Sequence, residues 1–319
     1  MFFKGEDEMK KAVLGLVLVS LFGLVSGCST NESSKKEESA KTETSSTVKE
    51  KDKKEATELK SKRGTIIPAT IVMPQDNTKE KMPLVVLAHG FMGSRDEAGG
   101  FSEVADNLAK NGVASIRIDF PGCNESKEKT TEYSMKNNTD DVLSAIEFMK
   151  ETYNIDADKV GMLGYSMGGR ITSLVSKETP LNTIVLWAPL ISKNWEGTLE
   201  GKVLDDKISE AKEKGHSTIE FFGNDIEVSQ ALLEDLNTDE SVKDIDAYKG
   251  NALLITGGKD KVVLKSVTDN VQNSLKNAAK SETVLLENVG HGMGIYEKDR
   301  ESQDKLVKSS IDFFTQNLK

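Results

Sequence analysis

Ser166 stands in Gly164-Tyr165-Ser166-Met167-Gly168, directly after the apolar run Val160-Gly161-Met162-Leu163. The run reads as a buried strand and residues 167–176 as a helix, so the serine falls in a tight strand-to-helix turn. Flanking glycines remove the Cβ atoms that would clash there. Such a turn lifts Oγ clear of the sheet, and the helix that follows points its N-terminal dipole at it. That is a mount for nucleophilic attack on an acyl carbon. A serine hydroxyl is a poor nucleophile at neutral pH, so it requires a base, with a carboxylate behind the base.

The chain has three histidines, His89, His216 and His291. His89 precedes the serine, immediately after a buried apolar run, and reads as a loop-shaping residue with Gly90. His216 lies in a polar stretch and reads as a solvated surface group. For this layout the chain order is serine, acid, histidine. His291 follows Ser166 in the glycine-flanked loop Val289-Gly290-His291-Gly292-Met293, at a strand's carboxyl end. Asp260 is the first carboxylate after the apolar residues 252–256 and is the expected acid. Asp244, Asp246 and Glu287 are weaker alternatives, because none falls just past a buried strand on the expected loop. Acyl transfer also needs N–H donors for the developing oxyanion. Met167, next to the nucleophile, supplies one. Phe91, in the loop after residues 84–88, is the expected second.

The elements that must position these groups follow from hydrophobic periodicity. Strands are expected at residues 65–73, 84–88, 113–118, 160–165, 183–187, 252–256 and 283–286. Helices are expected at 101–111, 139–153, 167–176, 265–279 and 301–318. The alternation argues for an α/β fold, βα units around a mostly parallel sheet. Residues 191–248 break the rhythm. They are polar, charged and helix-prone, and predict an inserted cap of short helices at the carboxyl ends of the strands, where ligands bind. Trp195, Phe221 and Phe222 are its candidates for lining a substrate pocket.

The segments "LAHGFMGSRDE", "RIDFPGCNES", "GYSMGG", "GGKDKVV" and "VGHGM" resemble, in order and rough spacing, those of an α/β-hydrolase. The chain looks most like the single-domain esterases of the feruloyl/cinnamoyl-esterase and dienelactone-hydrolase-like group. The resemblance covers residues 58–319. It implies the α/β-hydrolase fold and a serine carboxylester hydrolase with a Ser166-His291-Asp260 triad, acting on small or medium acyl or aryl esters without cofactor or metal. One segment departs from the group: Gly122-Cys123-Asn124-Glu125-Ser126 stands where relatives commonly have G-x-G-x-S. A peptidase, thioesterase or acyltransferase on the same fold, or a non-catalytic binding lipoprotein, are the competing readings.

The 319 residues carry a net charge of -10, which argues against a nucleic-acid partner, since a phosphate binder needs a basic face. The two cysteines, Cys28 and Cys123, are too far apart in sequence to suggest a metal pair or a disulfide framework. Lys10 and Lys11 precede an apolar stretch over residues 12–27, the layout of a secretory signal. Val25-Ser26-Gly27-Cys28 resembles the lipobox of bacterial lipoproteins, in which the cysteine is diacylated. The acidic residues before Met9 do not suit a signal, so Met9 is the better start. Residues 29–57, rich in Ser, Thr, Lys and Glu, predict a disordered tether. The expectation is a signal peptide over 1–28, a linker, and a hydrolase domain over 58–319, lipid-anchored outside the cytoplasm on the bacterial membrane. Cys28→Ala should abolish fatty-acid incorporation. Equal labelling of mutant and wild type by radioactive palmitate would contradict the lipobox reading.

Overall fold

A computed structural model describes residues 53–75 and 81–318. The expected signal segment, Cys28 and most of the expected tether lie outside them. In β3 (Met82–Ala88), Leu84 and Val86 enter one core while Val85 and Leu87 enter another. This is the two-residue period of an extended chain packed on both faces. With β1 (Lys53–Lys60), β2 (Ile66–Met73), β4 (Ala114–Ile118), β5 (Ile155–Tyr165), β6 (Thr183–Trp187), β9 (Asn251–Gly257) and β10 (Lys280–Leu286), it forms a sheet in the order β1-β2-β4-β3-β5-β6-β9-β10. Strand β2 is antiparallel to both neighbours, and every other pair in the sheet is parallel.

Helices cover both faces. On one, α1 (Gly100–Lys110) and α8 (Arg300–Leu318) bring Phe101, Val104, Leu108, Leu306 and Phe314 against Val85, Leu163 and Trp187. On the other lie α2 (Met135–Thr152), α3 (Met167–Glu178), α6 (Glu240–Ala247) and α7 (Lys265–Ser274). They bury Val142, Ile171, Ile245 and Val267 with Val86, Met162 and Ile184. Helix α2 starts a turn earlier than its apolar periodicity indicates, because Ser134 caps it, its hydroxyl accepting from the Asn137 N–H at 3.2 Å.

Two features differ from the sequence expectation. The fold takes in residues ahead of position 58: β1 starts at Lys53 and pairs along its whole length with β2. As an edge strand it buries only Leu59 among the side chains from Lys54 to Lys60, so it carries no hydrophobic signature. The insertion is also not purely helical. After β6 the chain forms α4 (Gly201–Lys214), a hairpin of β7 (Ser217–Phe221) and β8 (Asn224–Val228), and α5 (Gln230–Leu236). The hairpin turns on Phe222 and Gly223, both at positive φ, as a two-residue hairpin loop requires. Helix α6, within the expected cap, packs on α3 and α7 instead. It is the crossover helix that the parallel step from β6 to β9 needs.

One side chain gathers both ends of the insertion. Arg170, buried on α3, donates to the Ser192 carbonyl on the outgoing strand of chain and to the Asp235 and Thr238 carbonyls on the return. A planar guanidinium can span these acceptors; an ammonium cannot. Arg170→Met should therefore cost about 2–4 kcal/mol by stranding buried carbonyls, with Arg170→Lys recovering only part. Urea unfolding checks the loss, and equal stability of wild type and Arg170→Met would contradict it.

Candidate active site

The end of β5 and the start of α3 meet at Ser166, whose backbone sits at φ 52, ψ -115. A non-glycine residue in this region is strained and must be held by its surroundings. Here the Ser166 N–H donates to the Trp187 carbonyl and its own carbonyl accepts from Leu190 and Gly169, all at 2.9 Å. A Cβ on Gly168 would fall on the Ala88 carbonyl, so glycine there lets α3 seat directly on the end of β3. That contact places the loop that begins one residue later beside Ser166.

Ser166, His291 and Asp260, read separately from sequence, are brought into one hydrogen-bonded chain. The Ser166 Oγ lies 2.9 Å from His291 Nε2, and His291 Nδ1 lies 2.9 Å from Asp260 Oδ2. A carboxylate only accepts, so Nδ1 carries the proton and Nε2 is left to accept from the serine hydroxyl. Asp260 is in turn fixed by the N–H groups of Val262 and Val263, which donate to Oδ1 at 2.8 and 3.0 Å. Tyr165 buttresses the histidine loop: its hydroxyl donates to the His291 carbonyl at 2.8 Å, and the two rings stack at 5.2 Å.

The Phe91 and Met167 N–H groups, the expected oxyanion donors, have no acceptor among the described residues. Met167 opens a helix, where such N–H groups are left free. His89 is fully buried and works as a brace. Its Nδ1 donates to the Gly90 carbonyl at 2.8 Å, and its Nε2 accepts from the Phe120 N–H at 3.0 Å. Burial lowers its pKa to about 4, so it is neutral at pH 7. His216 is half-buried on the cap, 3.8 Å from Glu227. Of the weaker acid alternatives, Asp244 faces Lys177, Asp246 meets Asn277 and Glu287 is exposed.

The cap aromatics divide. Trp195 and Phe221 pack on the Phe91 ring, at centroid separations of 6.0 and 5.0 Å. Trp195 Nε1 donates to the Val262 carbonyl at 3.4 Å, joining the cap to the acid loop. Phe222 is 59% exposed at the hairpin tip and touches Phe221. Tyr133, which no motif singles out, completes the cluster edge-on to Phe91 at 5.2 Å. Cys123 is buried, its thiol pushed up to about 12 by burial, and so is not a thiolate at neutral pH.

Glu97, also missed by sequence patterns, is buried beside this site. Its Oε1 accepts from the Gly90 N–H at 2.8 Å, and its Oε2 accepts from the Tyr296 hydroxyl. Burial pushes its carboxyl up from 4.5 to about 7, against the pull of those two donors. The native state thus keeps a proton that the unfolded chain releases, so this contribution to stability is present below the unfolded pKa and is lost as pH rises through the folded one. Glu97→Gln has nothing to ionise and should gain on wild type between about pH 5 and about pH 8, by roughly 2–3 kcal/mol at most. Urea unfolding at both pH values measures the difference; a gap that does not change with pH would contradict it.

Known proteins share parts of this chain. It is 30% identical over 120 residues to an uncharacterized 31.7 kDa protein of Escherichia coli, covering 37% of this chain and 41% of that one. It is 28% identical over 128 residues to esterase EstD of Thermotoga maritima, covering 39% and 30%. It is 26% identical over 155 residues to an acyl transferase of Shewanella hanedai, covering 48% of each. The chain spans less than half the length of each of these relatives. Among solved structures, Est1E of Butyrivibrio proteoclasticus with ferulic acid bound superposes with a TM-score of 0.63 at 19% identity, over 79% of this chain and 98% of that one, a likeness of fold. The family model described as serine aminopeptidase, S33, matches residues 79–244. With more than half of its length matched and a mostly parallel sheet between two helical layers, the chain belongs to this Hydrolase_4 family of α/β-hydrolases.

Proposed function

We propose that this protein is a serine hydrolase that cleaves carboxylic esters of small or medium acyl or aryl groups through an acyl-enzyme on Ser166. The observation that carries the reading is the continuous Ser166-His291-Asp260 chain of hydrogen bonds. In the reaction, Oγ attacks the ester carbonyl as His291 Nε2 takes its proton, and Asp260 stabilises the imidazolium. The Phe91 and Met167 N–H groups receive the oxyanion. The tetrahedral adduct expels the alcohol, which takes the proton from His291. Water, deprotonated by the same nitrogen, then releases the acid.

Support for an ester rather than a peptide substrate comes from the side chains around Phe91. Tyr133, Trp195 and Phe221 are aromatic, suited to an acyl or aryl group. An aminopeptidase must also hold an α-ammonium, and Asp119, a buried carboxylate near this end of the sheet, is already paired with Arg95. The similarity to EstD supports the same reading. The similarity to an acyl transferase favours a second one, in which an alcohol replaces water in the last step. The proposed setting is outside the cytoplasm, anchored by lipid on Cys28.

Ser166→Ala should change folding stability by no more than about 1 kcal/mol and lower ester hydrolysis by at least about 10⁴-fold. A fluorophosphonate should label wild type on the Ser166 peptide and leave the mutant unlabelled. A folded Ser166→Ala protein that hydrolyses p-nitrophenyl butyrate at the wild-type rate would overturn the assignment. Faster turnover of aminoacyl anilides than of esters would favour a peptidase.

A further inference from the structure

The loop that carries the Phe91 donor is not held by the triad. It is folded around Glu97. The carboxylate accepts the Gly90 N–H, one residue before Phe91, and a Cβ on Gly93 would strike that same carboxylate, so the loop passes against it at close range. Its other oxygen accepts the hydroxyl of Tyr296, five residues beyond His291 in the histidine loop. The backbone is forced to deliver the group: Glu97, Ala98 and Gly99 lie at φ 41, 49 and 97. Two consecutive non-glycine residues in this region cost free energy that only tertiary contacts can offset. A fully buried carboxyl is a further cost. Neither cost is explained by the Ser166-His291-Asp260 chain, which Glu97 does not touch.

We propose that Glu97 is a positioning residue for the oxyanion hole, tying the Gly90–Gly93 turn to the histidine loop through Tyr296 so that the Phe91 N–H and the His291 ring keep one geometry. This rests on the serine-hydrolase reading above. A donor aimed where charge develops loses most of its value when displaced by about 1 Å. Losing the tie should therefore act on the transition state and spare substrate binding.

The test compares Glu97→Ala, Glu97→Gln and Tyr296→Phe in the full chain. For p-nitrophenyl butyrate, Glu97→Ala should lower kcat about 10²-fold with KM within about threefold, and weaken a trifluoromethyl ketone inhibitor in parallel. Glutamine keeps the acceptor for Gly90 and a polar group for Tyr296, so it should recover kcat to within about fivefold of wild type. Tyr296→Phe, at an exposed position that folding tolerates, should lower kcat about three- to tenfold. Hydrogen exchange over residues 90–93 should quicken in Glu97→Ala and Tyr296→Phe whether or not any ester is turned over. That readout separates this proposal from the functional reading: a wild type inactive on esters sinks the latter, while exchange still decides the former. Wild-type kcat, inhibitor affinity and exchange in Tyr296→Phe would overturn the proposal, even if Glu97→Ala does not fold. So would a loss confined to KM in any folded Glu97 variant.

Discussion

The site depends on one close approach, the seating of α3 on the end of β3 where Gly168 meets the Ala88 carbonyl. Ser166 lies two residues before Gly168 and the loop of Phe91 begins just after Ala88, so a single contact sets the distance between Ser166 and that loop. The strained φ of Ser166 is the local cost of that geometry. The hydrogen bonds to Trp187 and Leu190 extend the same reference point to the end of β6, where the cap departs. A larger residue at 168 would move all three together.

Around that turn, separate supports hold Asp260, His291 and the cap. The loops after β9 and β10 bring Asp260 to His291, and Tyr165 fixes the histidine loop by a hydrogen bond and a stacked ring. Arg170 fastens the two ends of the cap to the helix that begins after Ser166. Trp195 then links the cap to the acid loop. In the proposed reaction, preorganisation of this kind leaves little to rearrange when charge develops on the substrate.

Ser166 and Asp260 stand out in sequence because each follows a buried apolar strand, which announces itself by composition, whereas His291 follows the largely exposed edge strand β10 and stands out by its glycine-flanked loop and its place after the serine. What escaped has the opposite character. Strand β1 is a polar edge held by backbone pairing, and the β7–β8 hairpin alternates weakly around a Phe-Gly turn in place of the usual Asn-Gly. Phe222 could not be told from Phe221 in sequence, yet the hairpin leaves one at its exposed tip and packs the other on Phe91. Asp96 and Glu97 are adjacent acids; three left-handed residues turn Glu97 inward while Asp96 stays exposed. Those outcomes are set by tertiary contacts that no local pattern encodes.

The central claim is an acyl group carried on Ser166 during turnover. Rapid-quench mass spectrometry of the protein mixed with excess p-nitrophenyl butyrate tests it directly. The account predicts a protein species heavier by one butyryl group, mapped to the peptide containing Ser166 and lost as substrate is exhausted. Steady ester turnover with the acyl group on another residue would contradict it.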